Sequence, residues 1–295
     1  MDLKNKAIVI TGATAGIGFQ TALDAAHAGA FVIGVGRNPQ RCEEARQKIS
    51  THSPDATVIF LTANLASQNQ IHSLAEQIQQ TLTDHKLKAL DVLVNNAGMY
   101  MGKKVFTEDG IETTFAVNHL APFLLTHLLL PLLSKSSSGR VITVSSDSHY
   151  RTSFIPEKAK NPGLFFGLMA YKVSKLSNIL FSYEFNRLHA SNADTSVHAF
   201  AVDPGLVNTD IGMKETGRLA SLVWRSRKNL GVSPEVPSKT ILFLAGEPAV
   251  SKSTDIYWHL CKAKQPSQNA TNPALAKRLW KESCKLTGVA QPEGY

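Results

Sequence analysis

Ala7-Ile8-Val9-Ile10-Thr11-Gly12-Ala13-Thr14-Ala15-Gly16-Ile17-Gly18 is the stretch of this chain on which its fold turns. Ala7–Thr11 reads as a short buried strand, and from Ile17 to Ala28 apolar positions recur at helical spacing. Between the two, the glycines are spaced G-x3-G-x-G rather than the commoner G-x-G-x-x-G. Glycine permits the tight turn and a close backbone approach, and a helix start aims unpaired N–H groups at whatever lies over the turn. Three glycines alone would serve a plain connection. Set between an apolar strand and a helix, they predict a nucleotide phosphate held by Gly12, Thr14, Ala15, Gly16, Ile17 and Gly18.

The same rhythm continues outward. Phe31–Gly36, Thr57–Leu61, Leu90–Val94, Val141–Ser145 and Val197–Val202 are short Val- and Ile-rich runs, apolar on both faces, as parallel strands covered on both sides are. Helical patterns lie between them at Pro39–Ser50, Gln70–Thr81, Ile111–Leu133 with a break near His119, and Ala170–Ala190. Gly29 stands where a helix C-cap belongs, and Asn38-Pro39 supplies an N-cap followed by proline at the first helical position. Beyond Pro234 come a helix at Val236–Ala245, a strand near Ile256–Trp258 and a polar helix at about 273–286. Strand-then-helix alternation predicts an α/β protein with a doubly wound parallel sheet of about seven strands, and residues 1–295 as one domain. Asp147–Met169 and Leu206–Pro234 break the rhythm, each after the C-terminal end of a strand, where such sheets place their ligands.

Composition narrows the function classes. The chain has 295 residues, 43% hydrophobic and 18% charged, enough for a large core. Cys42, Cys261 and Cys284 are scattered, without metal-ligand spacing, so neither a disulfide scaffold nor a metal is expected. Phe123–Leu133 is shorter than a membrane span and contains His127 and Pro131, which predicts a buried core helix. The first strand starts close to Met1, and cytoplasmic residence is the expectation. The net charge of +8 comes without a basic run interleaved with aromatics, so nucleic acid is not an expected partner. An anionic cofactor or an acidic membrane surface uses the same charge.

The chemistry-bearing residues sit at strand ends. A carboxylate after the second strand would bind the adenosine ribose of NAD. Here the strand ends in Arg37, followed by Asn38, with Arg41 one helical turn on, a set that favours the 2′-phosphate of NADP(H). Tyr171 and Lys175 are four residues apart on one helix face. A nearby ammonium stabilises a phenolate, so Lys175 is expected to lower the tyrosine pKa from its usual value of about 10. Ser145 and Ser146 end the fifth strand. Asn96, Ala97 and Gly98 end the fourth and are expected to flank the cofactor. Asn118 lies in an apolar helical region and needs a polar reason to be buried.

Taken together, these motifs resemble the short-chain dehydrogenase/reductase family, in family order and as far as about Val250. Within the family, the branch resembled is that of retinol dehydrogenases and WW-domain oxidoreductases. The resemblance implies a Rossmann-type fold, NADP(H), and Asn118, Ser146, Tyr171 and Lys175 as a catalytic tetrad. Ser146, the second serine, occupies the family's position. Tyr171 would be the acid/base, Ser146 would polarise the substrate oxygen, Lys175 would bind the nicotinamide ribose, and Asn118 would hold a proton-relaying water. Pro204, Gly205, Val207 and Thr209 would contact the nicotinamide end. Asn64-Leu65 stands where the family often has Asp-Leu at the adenine. The related protochlorophyllide reductases use a cysteine that this chain lacks between Cys42 and Cys261. No counterpart of the N-terminal membrane helix of many retinol dehydrogenases precedes the first strand.

The expected reaction is hydride transfer between NADP(H) and a carbonyl or alcohol, with a bulky apolar substrate of retinoid, steroid or lipid-aldehyde type. Phe154, Ile155, Leu164, Phe165, Phe166, Leu168 and Met169 supply apolar material before Tyr171, and a substrate lid is expected over about 206–231. Within it, 213–230 patterns as a basic amphipathic helix, which either closes the pocket or lies peripherally on an anionic membrane. A homodimer is also admitted. The competing class is a non-enzymatic NADP-binding sensor or interaction protein on the same fold.

Overall fold

In β1 (Ala7–Thr11) every residue is buried, with Ile8 and Ile10 packed into one apolar layer and Ala7 and Val9 into the other. This two-sided burial is why the strands carry no polar alternation. The computed structural model describes residues 2–189, 197–208 and 231–292. The chain continues through α1 (Gly16–His27), β2 (Phe31–Gly36), α2 (Pro39–His52), β3 (Val58–Thr62), α3 (Gln68–Asp84) and β4 (Val92–Asn95). Next come α4 (Thr113–Phe115), a π-helical segment (Ala116–Leu120), α5 (Ala121–Leu133), β5 (Arg140–Val144), α6 (Gly167–His189) and β6 (His198–Val202). The chain ends in α7 (Glu235–Gly246), β7 (Tyr257–His259), β8 (Lys262–Ala263) and α8 (Pro273–Thr287).

The sheet runs β3-β2-β1-β4-β5-β6-β7-β8, parallel throughout except for the last pair. Helices α1 and α7 cover one face, whereas α3, α5, α6 and α8 cover the other. Strand order reverses between β1 and β4, so the crevice opens where the glycine turn faces the end of β4. The eighth strand was not expected. Leu260 and Cys261 make the hairpin turn at φ of 49° and 59°, and neither is a residue that advertises a left-handed turn.

Local signals hold where they were strongest. Gly29 follows α1 at φ 86°, and Asn38 Oδ1 accepts the Arg41 backbone N–H at 3.0 Å, with Pro39 opening α2. The break expected near His119 is the π-helical segment, inside a rod that runs on as Thr113–Leu133. At 21 residues this rod is as long and apolar as a membrane span, so the length objection raised for Phe123–Leu133 alone does not hold. Burial carries the core reading: 72% of its most apolar window is buried, and Phe123 packs edge-on to Phe181 and Trp280.

Candidate active site

The phosphate end of the crevice is built from backbone. Gly12 and Gly16 take φ of 68° and 56°, and Ala13 N–H pairs with the Val35 carbonyl at 3.0 Å. Ala15 enters α1 in an extended conformation and gives no side-chain cap, which leaves the helix start to an incoming anion. Asn96 fixes the turn from across the sheet: its amide donates to the Thr11 carbonyl at 2.8 Å and the Gly12 carbonyl at 3.3 Å. The Thr11 hydroxyl in turn accepts the Asn96 and Ala97 N–H groups, each at 3.0 Å. A Cβ on Gly18 would lie 2.3 Å from both the Asn96 amide nitrogen and the Gly12 oxygen, so that glycine is demanded by packing. The Asn96 amide nitrogen and backbone N–H are thus both engaged with the protein.

Arg37, Asn38 and Arg41 stand exposed together beyond β2. The Ala63 N–H pairs with the Gly36 carbonyl at 2.9 Å, which brings Asn64 and Leu65 alongside the same end of the crevice. Asn64 Oδ1 accepts the Ala66 N–H at 3.2 Å, while Leu65 packs against the core. Pro204 and Gly205, with Gly205 at φ 70°, leave β6 at the other end, and Val207 bridges to Val232. Thr209, and with it most of the expected lid (209–230, including the basic stretch 213–230), lies outside the described residues.

At the reacting end, β5, α6 and the π-helical segment converge. The Ser145 hydroxyl is buried and donates to the Lys175 carbonyl at 2.7 Å, while the Ser146 hydroxyl accepts the Ser148 N–H at 3.2 Å and lies near enough to the Tyr171 phenol to lower its pKa. The fold therefore brings Ser146, and not Ser145, to Tyr171. Burial pushes the Tyr171 pKa up to about 12, Asp203 adds to the rise, and Ser146 draws it partly back. Lys175 is 2% exposed, its ammonium donates to the Val144 carbonyl at 2.9 Å, and burial lowers its pKa to about 8. Its Nζ lies 5.5 Å from the centroid of the Tyr171 ring, over the face and not at the phenol oxygen. This corrects the expectation of a lowered tyrosine pKa: here burial outweighs the ammonium, and the phenol is neutral at physiological pH.

Asn118 is 1% exposed and its polar role is plain. Its carboxamide accepts the Met99 N–H at 2.8 Å and donates to the Met99 carbonyl at 2.9 Å and to the Ser174 hydroxyl at 3.0 Å. It ties the loop after β4 to α6. A Cβ on Gly98 would sit 3.5 Å from both Asn118 Oδ1 and Lys175 Nζ, so the end of β4 lies directly over the pair.

Sequence reasoning missed the charged groups beneath Ser146. Lys264 donates to Asp147 Oδ1 at 2.6 Å and to Asp203 Oδ2 at 2.8 Å. Asp203 Oδ1 accepts the Gly205 N–H at 3.0 Å, and the Tyr257 hydroxyl donates to Asp147 at 3.2 Å. Asp147 next to Ser146 and Asp203 before Pro204-Gly205 were visible as neighbours of motifs; Lys264, directly after the unexpected β8, carried no signal. The apolar residues between Ser146 and Tyr171 divide. Phe154, which also packs on the core, lines with Ile155, Leu164, Phe165, Phe166 and Met169 a cavity of about 210 Å³ whose wall includes neither Tyr171 nor Ser146, whereas Leu168 is not part of that wall. Leu164 and Phe166 remain 85% and 68% exposed.

Comparison with known proteins agrees with this geometry. The short chain dehydrogenase family model matches residues 6–219. Human polyprenol dehydrogenase is 33% identical, covering 97% of this chain and 86% of that protein. Mouse retinol dehydrogenase 12 is 34% identical over 98% of this chain and 88% of that protein. A crystal structure from Mycobacterium paratuberculosis superposes with a TM-score of 0.72 at 26% identity, covering 99% of this chain and 96% of that one. The chain belongs to the short-chain dehydrogenase family, whose members are oxidoreductases that bind a nicotinamide cofactor and act on alcohol and carbonyl groups.

Proposed function

We propose that this protein is an NADPH-dependent reductase of bulky apolar aldehydes and ketones. The observation that carries the reading is the Ser146–Tyr171 pair, a neutral phenol beside a serine at the open end of β5. NADPH, when bound, supplies the hydride. The glycine turn and the uncapped start of α1 suit its pyrophosphate, and Arg37 with Arg41 suits the 2′-phosphate. Lys175 would hold the nicotinamide ribose hydroxyls, with the Pro204-Gly205 turn against the ring. Asn118 keeps the floor beneath them in place through Met99 and Ser174.

Ser146 donates to the substrate carbonyl oxygen, and Tyr171 delivers its proton to that oxygen as negative charge develops there. A phenol held near 12 still gives its proton to an alkoxide, and its neutrality favours reduction over alcohol oxidation near pH 7. The exposed Leu164, Phe166 and Leu168, in the segment of sequence between Ser146 and Tyr171, support an apolar substrate. So do the names of two relatives, a polyprenol and a retinol dehydrogenase. We place the protein in the cytoplasm, with 213–230 as its contact to an anionic membrane. Sedimentation with anionic liposomes, with and without Trp224 and Arg225 replaced, checks that contact. The function is tested by NADPH oxidation across aldehydes, ketosteroids, retinal and quinones. Reduction of retinal or long-chain aldehydes is expected, and a preference for small polar carbonyls or for NADH overturns it.

A further inference from the structure

Five hydrogen bonds lace β7 and the segment after it to the loop that carries Ser146. Lys264 and Tyr257 hold Asp147 at 2.6 and 3.2 Å, and the Tyr150 hydroxyl donates to the Gln265 carbonyl. Ser267 N–H donates to His149 Nε2 at 3.1 Å, and the Asn269 amide to the Thr152 carbonyl at 2.8 Å. Most of these bonds involve backbone atoms and brace one loop only. Lys264 differs: its ammonium also reaches Asp203, which is 2% exposed, anchors the Gly205 N–H and has His259 Nδ1 3.3 Å from the same oxygen.

Asp203 and Asp147 would repel each other without a cation between them, and a buried carboxylate stripped of its partner is costly. Burial tends to lower the Lys264 pKa, but its two carboxylates raise it overall, so it stays charged in the working pH range. The charged and titratable groups that face this point are Asp147, Asp203, His149, Tyr150, Tyr257 and His259, with Lys175, Ser146 and Tyr100 around Tyr171. Among the carboxylates, Asp203 is the one whose field reaches the Tyr171 phenol.

We propose that Lys264 is a positioning residue for the reaction: by clamping Asp147 and Asp203 with one ammonium, it fixes the Ser146 loop and the Pro204-Gly205 turn as a unit and neutralises the carboxylate field facing Tyr171. The proposal rests on the reductase reading for its kinetic consequence and on geometry alone for the clamp. Loss of the ammonium loosens both segments together and leaves Asp203 with only the Gly205 N–H and the His259 ring as polar neighbours. The Asp203 charge then disfavours the Tyr171 phenolate further, which moves the alkaline limb of the rate profile to higher pH.

The test compares the full-length protein with Lys264→Met, Lys264→Arg and Asp147→Asn. With NADPH and all-trans-retinal, Lys264→Met is expected to lower kcat roughly tenfold or more. Its alkaline limb of kcat/KM should rise by about half a pH unit or more. Lys264→Arg restores both. Normal kcat with an unmoved limb in Lys264→Met, or equal impairment in Lys264→Arg, overturns the proposal. Amide hydrogen exchange reads the clamp without turnover, so the failure of retinal as a substrate stays distinct from the failure of the clamp. Exchange should quicken in 147–152 and 203–208 together in Lys264→Met, and in 147–152 alone in Asp147→Asn. Asp147 is half-exposed and its amide keeps the shape of the side chain, so this variant serves should Lys264→Met not fold. Unchanged protection of 147–152 in Asp147→Asn overturns the clamp.

Discussion

The two ends of the crevice are made differently. At the glycine turn the groups we propose to bind the cofactor are backbone N–H donors, with the Asn96 and Thr11 side chains holding that backbone. At the reacting end the proposed working groups are side chains delivered from separate segments, Ser146 from the end of β5, Tyr171 and Lys175 from α6, and Asn118 from the π-helical segment. The first end is specified by local sequence within a few residues. The second depends on long-range contacts, and its electrostatics are set by burial more than by the nearest charge.

That contrast fails if loss of the Tyr171 hydroxyl damages cofactor binding. Tyr171→Phe should lower kcat by about 10²–10⁴-fold while the NADPH dissociation constant, measured by nicotinamide fluorescence, stays close to the parent value. Near-normal turnover would remove Tyr171 from the chemistry. A sharper version compares neighbours on one strand end. Ser146→Ala should lower kcat by roughly 10²–10³-fold. Ser145→Ala, which loses only a bond to the Lys175 carbonyl, should cost stability of about 1 kcal/mol and little rate. Equal kinetic losses would erase the distinction between the two serines.

At the other end, Arg37→Ala should weaken NADPH binding by roughly ten- to a hundredfold and leave NADH nearly unchanged. Equal affinity of the parent protein for the two cofactors would count against this placement. A further effect is a pH dependence of stability. Lys175 sits at about 8 when folded against an ordinary 10.5, so between these values the unfolded chain binds the extra proton and stability rises with pH. Tyr171 acts oppositely between 10 and about 12. Urea midpoints of the parent should climb relative to Lys175→Met between about pH 8 and 10, by at most about 1.4 kcal/mol per pH unit. A difference that is flat with pH would show that Lys175 keeps its charge.

The sequence was most informative where structure is local. Strand β1, the glycine turn, the Asn38-Pro39 start of α2 and the Gly29 stop are each fixed by the residues that form them, and their expected positions match to within a residue. Ser146, Tyr171, Lys175 and Asn118 were legible through their family spacing, and the fold draws them together. Lys264 was not, because β8 turns on Leu260 and Cys261, whose left-handed backbone is bought by the sheet contacts around it and not by side-chain preference. The Tyr171 pKa was misjudged for a related reason. Helical spacing reported that Lys175 is near, but not that its ammonium is turned to the Val144 carbonyl in a site where desolvation dominates.

The π-helical segment has a consequence for how this chain can vary. A π turn carries one residue more than the α-helical turn it replaces, so Ala116–Leu120 sets the angular phase of everything after it. Deleting a single residue there would rotate α5 relative to α4 by about 100°. Either Asn118 would swing away from Met99, or Phe123, Leu124 and Leu129 would leave the layer they fill. Along this stretch, conservative side-chain replacement is a perturbation of packing, whereas a change of length is a change of frame, and relatives that keep the asparagine in place must keep the extra residue with it.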